Sequence, residues 1–526
     1  MSAAAILDDK KIYNPWLIAV VVSLATFMEV LDTTITNVSL SHIAGSLAAS
    51  QDESTWVLTS YLVANGIILP LSGWLSNVFG RKKFFLLCIA GFTFASLMCA
   101  LSTSLPMLIV FRLLQGLAGG GLQPTQQAII IDSFPPEKRG AVFGITGITL
   151  IVAPILGPTL GGWITDNFSW HWIFYINIPV GVLAFMLVSQ MVRDPEHAVA
   201  KGKGQIDYIG LSLVALGLGC LQIVLDKGQQ EDWFASQFIV IFATITALSL
   251  GFAIYWLLRQ KDPIVDLTLF KDRSFAIGSI LIFITGFALY SSSALLPILV
   301  QSEFGYDATM AGLVLSPGAF AVLFLMPISG QLVSRVPARY LVLFGLTLCS
   351  TGFYFTSHHL NPDVSYNTFV IMRTAQMVGI PFLFIPISTL AFMNVPKEKS
   401  TKASSLFSLS RNLGGSVGIA LIITYMTRHM QMHQSELTGR LVQGDMNYDA
   451  AMSDLTANGI AHGLTQSMAA QNATATIYRE LLSQSSILSY VDSFMLLSIM
   501  LGLGILAALF MPINRPGAKA APEGMH

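Results

Sequence analysis

Long apolar runs, separated by short polar stretches, recur along the chain and predict its elements. Fourteen runs are each close to the roughly 20 residues that a helix needs to cross a bilayer. They cover residues 16–40, 56–77, 84–103, 106–131, 141–164, 171–192, 208–225, 236–258, 275–300, 309–333, 340–357, 366–392, 404–426 and 488–511. The pattern therefore predicts an all-α integral membrane protein with 14 transmembrane helices.

Basic residues are distributed unevenly between the two sides of this topology. If the N-terminus is cytoplasmic, 21 of the 28 Lys and Arg fall in cytoplasmic loops, four in outer loops and three within spans. Loops rich in Lys and Arg stay on the cytoplasmic side of a membrane protein. We expect both termini to be cytoplasmic and the chain to be a multi-pass protein of the cell inner membrane.

Composition narrows the function. Only 11% of the 526 residues are charged and the formal net charge is −1, whereas a soluble domain has about 25% charged residues. This balance favours a lipid bilayer as the surroundings and gives no reason to expect nucleic acid as a partner. The phosphate-binding pattern G-x-x-x-x-G-K-[S/T] does not occur, which argues against an ATP-driven pump. The histidines are scattered, so we predict neither an enzyme nor a bound cofactor.

No metal site is predicted either. The four cysteines all lie in apolar runs. His429 and His433 form one i, i+4 pair beside Met430 and Met432. A single pair supplies too few ligands to indicate a metal site.

Two blocks of six runs look like repeats of one another. Arg112-x-x-Gln115 in the first block has its counterpart in Arg373-x-x-Gln376 of the second. Paired six-span repeats are typical of one large class of transporters. The predicted domains are an N-terminal six-span bundle (1–195), two additional linker spans (196–272), a C-terminal six-span bundle (273–426 and 488–511), a periplasmic loop (427–487) and a cytoplasmic tail (512–526).

Two carboxylates stand inside the first apolar run. Glu29 and Asp32 are spaced i, i+3 and so share one helix face. A charge near the bilayer centre costs roughly 3 kcal/mol or more, so such an acid marks a functional site. We expect these to be the only acids within the spans and interpret them as proton carriers. Leu289 occupies the counterpart of position 32 in the second block, so proton handling is expected in the N-terminal half.

Arg112 lies within the fourth run. A buried Arg cannot release its proton and therefore needs an anionic partner or backbone carbonyls. Two interpretations stay open: a structural residue bonded to a neighbouring helix, or a partner of the proton-carrying acid.

Several polar and aromatic residues within the runs are candidates for a substrate cavity. The cations among them would compensate anionic substrate groups, or would satisfy backbone carbonyls as structural residues. The aromatic residues would line the cavity or pack the bundle. The candidates are Asn37, Gln115, Phe287, Tyr290, Arg373, Gln376, Arg411 and Asn412.

A glycine-rich basic stretch follows the second run. Gly73, Gly80, Arg81 and Lys82 resemble the G-x-L-a-D-x-x-G-R-(K/R) motif of the major facilitator superfamily, and Asn77 stands where that motif has an acid. In that family the acid helps to lock the two halves on the inner side. The resemblance implies an inner gate here.

The fifth run carries small residues and prolines at regular spacing. Gly144, Pro154, Gly157, Pro158 and Gly161 resemble the family's antiporter motif, which is associated with exporters. Small residues let helices approach closely, and proline bends them.

Three further stretches, 31–38, 170–181 and 262–270, are similar to the fourteen-span drug:proton antiporters of this family, and are closest to the EmrB type. The resemblance implies the major facilitator fold, with two six-helix bundles and two extra central spans. It implies proton coupling through Asp32, with Glu29 and Arg112 as further members of the site. No cofactor is needed beyond the proton gradient.

The same resemblance implies the function and the partners. The protein would export amphipathic drugs or toxic compounds in exchange for protons, together with a periplasmic membrane-fusion adaptor and an outer-membrane channel. The loop 427–487 would offer the docking surface, with a helix expected over 472–486; a plain tether is the alternative. Export of a specific endogenous metabolite or siderophore, and proton-coupled import, remain alternative functions.

Overall fold

The computed structural model describes residues 14–194, 207–260, 263–439, 441–442 and 444–513, and all regular structure within them is helical. The α-helices are α1 (Pro15–Val38), α2 (Leu40–Ser46), α3 (Gln51–Ser54), α4 (Trp56–Phe79), α5 (Arg81–Ala100), α6 (Leu105–Gly119), α7 (Leu122–Ser133), α8 (Pro136–Asn167), α9 (Trp172–Tyr175), α10 (Asn177–Met191), α11 (Tyr208–Lys227), α12 (Gln237–Arg259), α13 (Arg273–Ser302), α14 (Ala308–Leu332), α15 (Ala338–His359), α16 (Tyr366–Met377), α17 (Pro381–Ala391), α18 (Ser400–Thr438), α19 (Met446–Ala461) and α20 (Gln466–Leu509).

The predicted all-α membrane class is confirmed. Among the described residues, 13 helical segments are long and apolar enough to cross a membrane. The predicted run at 141–164 lies within α8, which is not one of these 13 segments. Each of the remaining thirteen predicted runs coincides with one segment. The count of fourteen spans therefore stays a prediction. So does the side of the termini, because residues 1–13 and 514–526 lie outside the described residues.

Polar residues beside the apolar runs set where several helices begin. Asn14 caps α1 by accepting a hydrogen bond from the backbone nitrogen of Trp16 at 3.0 Å, and Pro15 follows at the first helical position. Asp272 and Asp307 cap α13 and α14 in the same way. Each cap satisfies an amide that the helix itself leaves unpaired.

Contacts made by α8 and α18 join the two halves of the chain. Helix α8 packs along both α1 and α14, while α18 packs against α4 and α7. Helices α11 and α12 pack against each other, and α11 also contacts α4 and α18. The domain boundaries stay a prediction, since the one at 195/196 lies outside the described residues.

The segment 427–487, which was expected to be a loop, is largely helical. Helix α18 continues for 39 residues to Thr438, and α20, with 44 residues, already begins at Gln466. Helix α19 lies between them and packs against α20. The helix predicted over 472–486 is confirmed as part of α20. Hydropathy falls in this segment, but Ala, Gln, Met and Leu still favour helix, so the helices continue beyond the apolar runs.

Candidate functional site

A buried ion pair joins α1 to α6. Arg112 Nη1 lies 2.5 Å from Asp32 Oδ2, and neither side chain has exposed surface. Charges removed from water depend strongly on each other, because the loss of one leaves the other buried and uncompensated. The two residues that the sequence singled out separately therefore form one unit.

The other oxygen of Asp32 is also occupied. Asn177 Nδ2 donates to Oδ1 at 2.6 Å, and Gln115 Nε2 donates to it at 3.0 Å. Asn177 opens α10 and also donates to Ser96 Oγ of α5 at 3.0 Å. Helices α6 and α10 thus place three donor side chains around one carboxylate. These charge-assisted hydrogen bonds stabilise its negative charge.

Arg112 also has partners other than Asp32. Its Nη1 donates to Gln115 Oε1 at 2.7 Å, and its Nε donates to the backbone oxygen of Val57 at 3.2 Å. The guanidinium carbon lies 4.4 Å from the centroid of the Tyr61 ring, whose face attracts a cation. These contacts keep the cation partly compensated when the carboxylate is neutralised.

Glu29, one turn earlier on α1, has other hydrogen-bond partners than Asp32, although Tyr61 contacts both Glu29 and Arg112. Its Oε1 accepts hydrogen bonds from Asn65 Nδ2 at 3.1 Å and from the Tyr61 hydroxyl at 3.4 Å. Gln123 of α7 lies beside the carboxylate and accepts a hydrogen bond from Arg411 of α18. This network connects an acid of the first block to a cation of the second.

The glycines of α8 lie at its two tight contacts. A Cβ at Gly157 would overlap Thr34 of α1, and one at Gly161 would come within 3.1 Å of the same helix. Gly144 faces α14, where a Cβ would lie 3.3 Å from the backbone oxygen of Met326. The residues of the proposed antiporter motif therefore contact both the helix that carries Asp32 and a helix of the second block.

Two prolines lie inside α8 between these contacts. Pro154 and Pro158 each lack an amide hydrogen, so each interrupts the helical hydrogen bonding and permits a bend. Thr34 Oγ1 donates to the backbone oxygen of Ala153 at 3.4 Å, which ties this part of α8 to α1.

Arg81 is the centre of the proposed inner gate. It forms an ion pair with Asp132 of α7, and its Nη2 donates to Thr401 Oγ1 of α18 at 2.9 Å. Asn77, where the family motif has an acid, is half-buried. The carboxylate that pairs with the gate arginine is therefore supplied by α7, and the arginine bridges the two blocks.

The other gate residues have steric or local roles. A Cβ at Gly73 would lie 2.9 Å from the Cα of Lys402, so only glycine lets α4 and α18 approach this closely. Gly80 has φ +84°, a conformation that favours glycine. Lys82 Nζ donates to the backbone oxygen of Ser189 at 2.6 Å.

The residues proposed for the substrate cavity lie at several different helix contacts. Asn37 is exposed near the end of α1. Gln115 belongs to the Asp32 cluster instead. Phe287 is buried in α13, and the ring of Tyr290 lies against α18 at Gly415.

The two second-block cations both lie beside α13 but have different partners. Arg373 is fully buried and donates to the hydroxyls of Ser292 at 3.1 Å and Ser293 at 2.9 Å, and to Gln376 Oε1 at 3.2 Å. Its partners here are neutral oxygens, in contrast to Arg112. Arg411 lies in the Glu29 network, and its Nη2 also donates to the Oδ1 of the adjacent Asn412 at 3.4 Å.

The expectation that only Glu29 and Asp32 are acids within the spans is wrong. Asp492 lies inside α20, within the last predicted span, and Asp132 and Asp226 lie near the ends of α7 and α11. Hydropathy averaged over about 20 residues does not reveal a single acid within an apolar run. These three acids were recognised from the side chains that they contact in the structure.

Sequence reasoning also left Asn177 unassigned, although it stands within the quoted stretch 170–181. Its signal was an amide in an otherwise apolar run, because a buried polar side chain requires a partner. That the partner is Asp32, 145 positions away, follows only from the packing of α1 against α10.

Comparison with known proteins places this arrangement among transporters. The family model described as Major Facilitator Superfamily matches residues 22–419. The multidrug export protein EmrB of Escherichia coli (strain K12) is 38% identical over 478 residues, 91% of each chain. The fatty acid resistance protein FarB of Neisseria gonorrhoeae is 37% identical over 444 residues, 84% of this chain and 87% of that one.

A solved structure shows the same fold at low sequence identity. A tryptophan double mutant of XylE superposes with a TM-score of 0.62 and 14% identity, over 95% of this chain and 96% of the other.

Proposed function

Since the chain belongs to the major facilitator superfamily, and within it is an EmrB-type multidrug efflux transporter of the inner membrane, we propose that it exports amphipathic compounds in exchange for protons. Small-molecule transport and a bilayer environment follow from the family itself. The proposal adds two points to this: the proton is the coupling ion, and the transporter has partners outside the membrane.

One observation carries the proton coupling: the completely buried Asp32 is paired with Arg112 and bonded by two amides. The pair is neutral when the carboxylate is ionised. A proton on Asp32 removes the anion and leaves the guanidinium charge without its counter-ion. Protonation therefore changes the free energy of this part of the bundle, which is what a coupling site requires.

The remaining partners of Arg112 make the protonated state accessible. Gln115 Oε1, the backbone oxygen of Val57 and the face of Tyr61 all stay beside the guanidinium when Asp32 is neutral. An arginine cannot give up its own proton in exchange. The transported proton is thus confined to the carboxylate.

Helix α8 supports the link between proton and transport. It contacts α1 two residues beyond Asp32, at Thr34, and it contacts α14 at Met326. A change in α1 on protonation is passed through α8 to the second block. A substrate bound between the blocks would favour one arrangement and the proton the other, which gives exchange.

Two external partners complete the proposal. We infer that a periplasmic membrane-fusion adaptor and an outer-membrane channel receive the exported compound, because the helical segment around α19 is additional to the helices that cross the membrane. Its exposed apolar residues, among them Met446 and Ile460, are suited to contact another protein.

Purified protein in proteoliposomes tests the proton coupling. Asp32→Asn should keep the fold, because the amide preserves the shape and one acceptor oxygen, but it should abolish substrate movement driven by a pH gradient. Exchange of labelled for unlabelled substrate at equal pH should persist, since that step needs no proton. Glu29→Gln should be milder, because the acid that pairs with Arg112 is Asp32 and not Glu29.

The matched control is Asp232→Asn, an exposed acid in the linker between α11 and α12, which should behave like wild type. If Asp32→Asn transports at the wild-type rate in response to the gradient, Asp32 is not the proton carrier.

A further inference from the structure

Two neighbouring helices bring three potential metal ligands together outside the Asp32 cluster. His429 and His433 lie one turn apart on one face of α18, and Asp492 faces them from α20. Asp492 Oδ2 lies 2.8 Å from His429 Nδ1 and 2.7 Å from His433 Nε2. The three ligand atoms lie within 4.8 Å of one another.

The donor set is selective. Two imidazole nitrogens and one carboxylate oxygen suit divalent first-row transition ions, zinc above all. Magnesium and calcium prefer oxygen ligands throughout. Histidines at i and i+4 on a helix present both rings to one ion, as in known zinc helices.

The site is also accessible. The side chains of His429, His433 and Asp492 are 27, 17 and 31% exposed. Because His429 and His433 lie beyond the apolar run that ends at residue 426, the cluster is at the outer end of the bundle, where water can fill the remaining coordination positions. The ring of Tyr425 stacks on His429 with 3.9 Å between centroids, which restrains the imidazole plane.

Binding requires the three ligand atoms to adjust their spacing. Tetrahedral zinc holds its ligand atoms about 3.3 Å apart, given bond lengths of about 2.0–2.1 Å. The nitrogen–oxygen distances of 2.7 and 2.8 Å are those of hydrogen bonds, so the ligands must separate by about half an ångström. The ring nitrogen that binds the ion carries no hydrogen, so the hydrogen of each bound ring lies on the nitrogen that faces away.

We propose that His429, His433 and Asp492 form a binding site for a divalent transition cation, with zinc as the best-fitting ion. The ion would fasten α18 to α20 where both helices continue toward α19. It would thereby hold the base of the helical segment 427–487 in one arrangement. The proposal goes beyond the transport function and does not depend on it.

Zinc and cobalt titrations of the full-length protein test this site. The protein is purified with a tag that lacks histidine, is treated with a chelator, and is titrated with zinc by calorimetry and with cobalt by visible absorption. We expect one high-affinity zinc per chain and cobalt d–d bands typical of tetrahedral or five-coordinate nitrogen–oxygen ligation. His433→Gln and Asp492→Asn should each weaken zinc binding at least about tenfold, because each removes one of three protein ligands.

His462→Gln is the matched control, since that exposed histidine lies at the end of α19 outside the cluster; it should bind zinc like wild type. A second measurement needs no variant: zinc should slow hydrogen exchange around 425–435 and 488–495 but not in α12. The proposal is overturned if wild type binds no zinc at 100-fold molar excess, if the cluster variants bind it like wild type, or if exchange does not change. A cluster that only holds protons would give these negative results.

Discussion

At the residue scale, Arg112 shows how much one guanidinium does in this bundle. Its Nη1 serves Asp32 and Gln115, its Nε serves the backbone of Val57, and its plane lies over Tyr61. A lysine has a single nitrogen on a flexible side chain, so it cannot donate to Asp32 and to the backbone of Val57 at the same time.

Arg112→Lys should therefore fold but transport at least about tenfold more slowly, because the carboxylate loses its fixed partner. The measurement is gradient-driven uptake into proteoliposomes, with the amount of monodisperse protein as the folding check. Arg428→Lys, an exposed arginine of α18, is the control and should be neutral. Full activity of Arg112→Lys would mean that only the positive charge is required, and not the several donor nitrogens of the guanidinium.

At the element scale, the contact between α4 and α18 depends on the absence of a side chain at Gly73. A Cβ there would lie 2.9 Å from the Cα of Lys402, a distance that two backbones can relieve only by moving apart. The hydrogen bond between Ser72 Oγ and Ser405 Oγ, 2.8 Å long, lies at the same crossing. Close backbone approach is what small residues supply in membrane helices.

Gly73→Ala should weaken closure of the inner gate and lower transport, although alanine is the better helix former. Gly66→Ala on the same helix is the matched control, since a Cβ there meets nothing within 4 Å. That control should keep transport and should not lower the thermal unfolding temperature. Equal behaviour of the two variants would show that α4 and α18 tolerate the extra separation.

Asp266, in the stretch before α13, contacts the residue that precedes α18. Asp266 Oδ2 accepts a hydrogen bond from Lys399 Nζ at 2.7 Å, just before α18, and Asp266 Oδ1 accepts one from the Thr268 amide at 3.1 Å. Burial alone would raise the pKa of Asp266, but the hydrogen bonds and charge of Lys399 and Thr268 outweigh it. The pKa therefore lies below its usual value of 3.8.

A carboxyl whose pKa is lower in the folded state stabilises the fold above its unfolded pKa, and this contribution is lost as the pH falls through the folded value. Asp266→Asn should therefore lower the thermal unfolding temperature at pH 7, and the difference from wild type should shrink below about pH 4. Glu398→Gln, an exposed neighbour, serves as the control. A difference that stays constant with pH would exclude the ion pair as its cause.

At the scale of the whole molecule, removing the helical segment around α19 tests the proposed assembly with a periplasmic adaptor. We expect that a variant with residues 440–464 replaced by a short Gly/Ser linker will insert and transport normally in vesicles, because α18 and α20 remain. In Gram-negative cells it should lose both drug resistance and adaptor capture. Retained adaptor binding would place the docking surface elsewhere, and lost vesicle transport would make the segment part of the transport route.

Point changes refine that experiment. Met446→Gln combined with Ile460→Gln alters two exposed apolar positions of α19, which are 83 and 47% exposed, without shortening the chain. Phe234→Gln, an exposed aromatic residue in the linker before α12, is the control and should leave adaptor capture unchanged.

The sequence by itself determined the membrane class and the position of most helices, and it singled out Glu29, Asp32 and Arg112 as charges within the apolar runs. The hydropathy of a run indicates directly whether a helix can lie in lipid, so membrane helices can be predicted without knowing which helices pack together. The buried charges at Asp32 and Arg112 were conspicuous for the same reason. The helical nature of 427–487 was partly missed because helix propensity continues where hydropathy ends.

Only the tertiary structure decided which residues act together. It paired Asp32 with Arg112, Gln115 and Asn177, brought Asp132 to Arg81, and brought Asp492 to a histidine pair. Each of these contacts joins helices that are far apart in the chain. Their formation depends on which helix faces meet, and that choice is made by the packing of small residues and the need to satisfy buried polar groups.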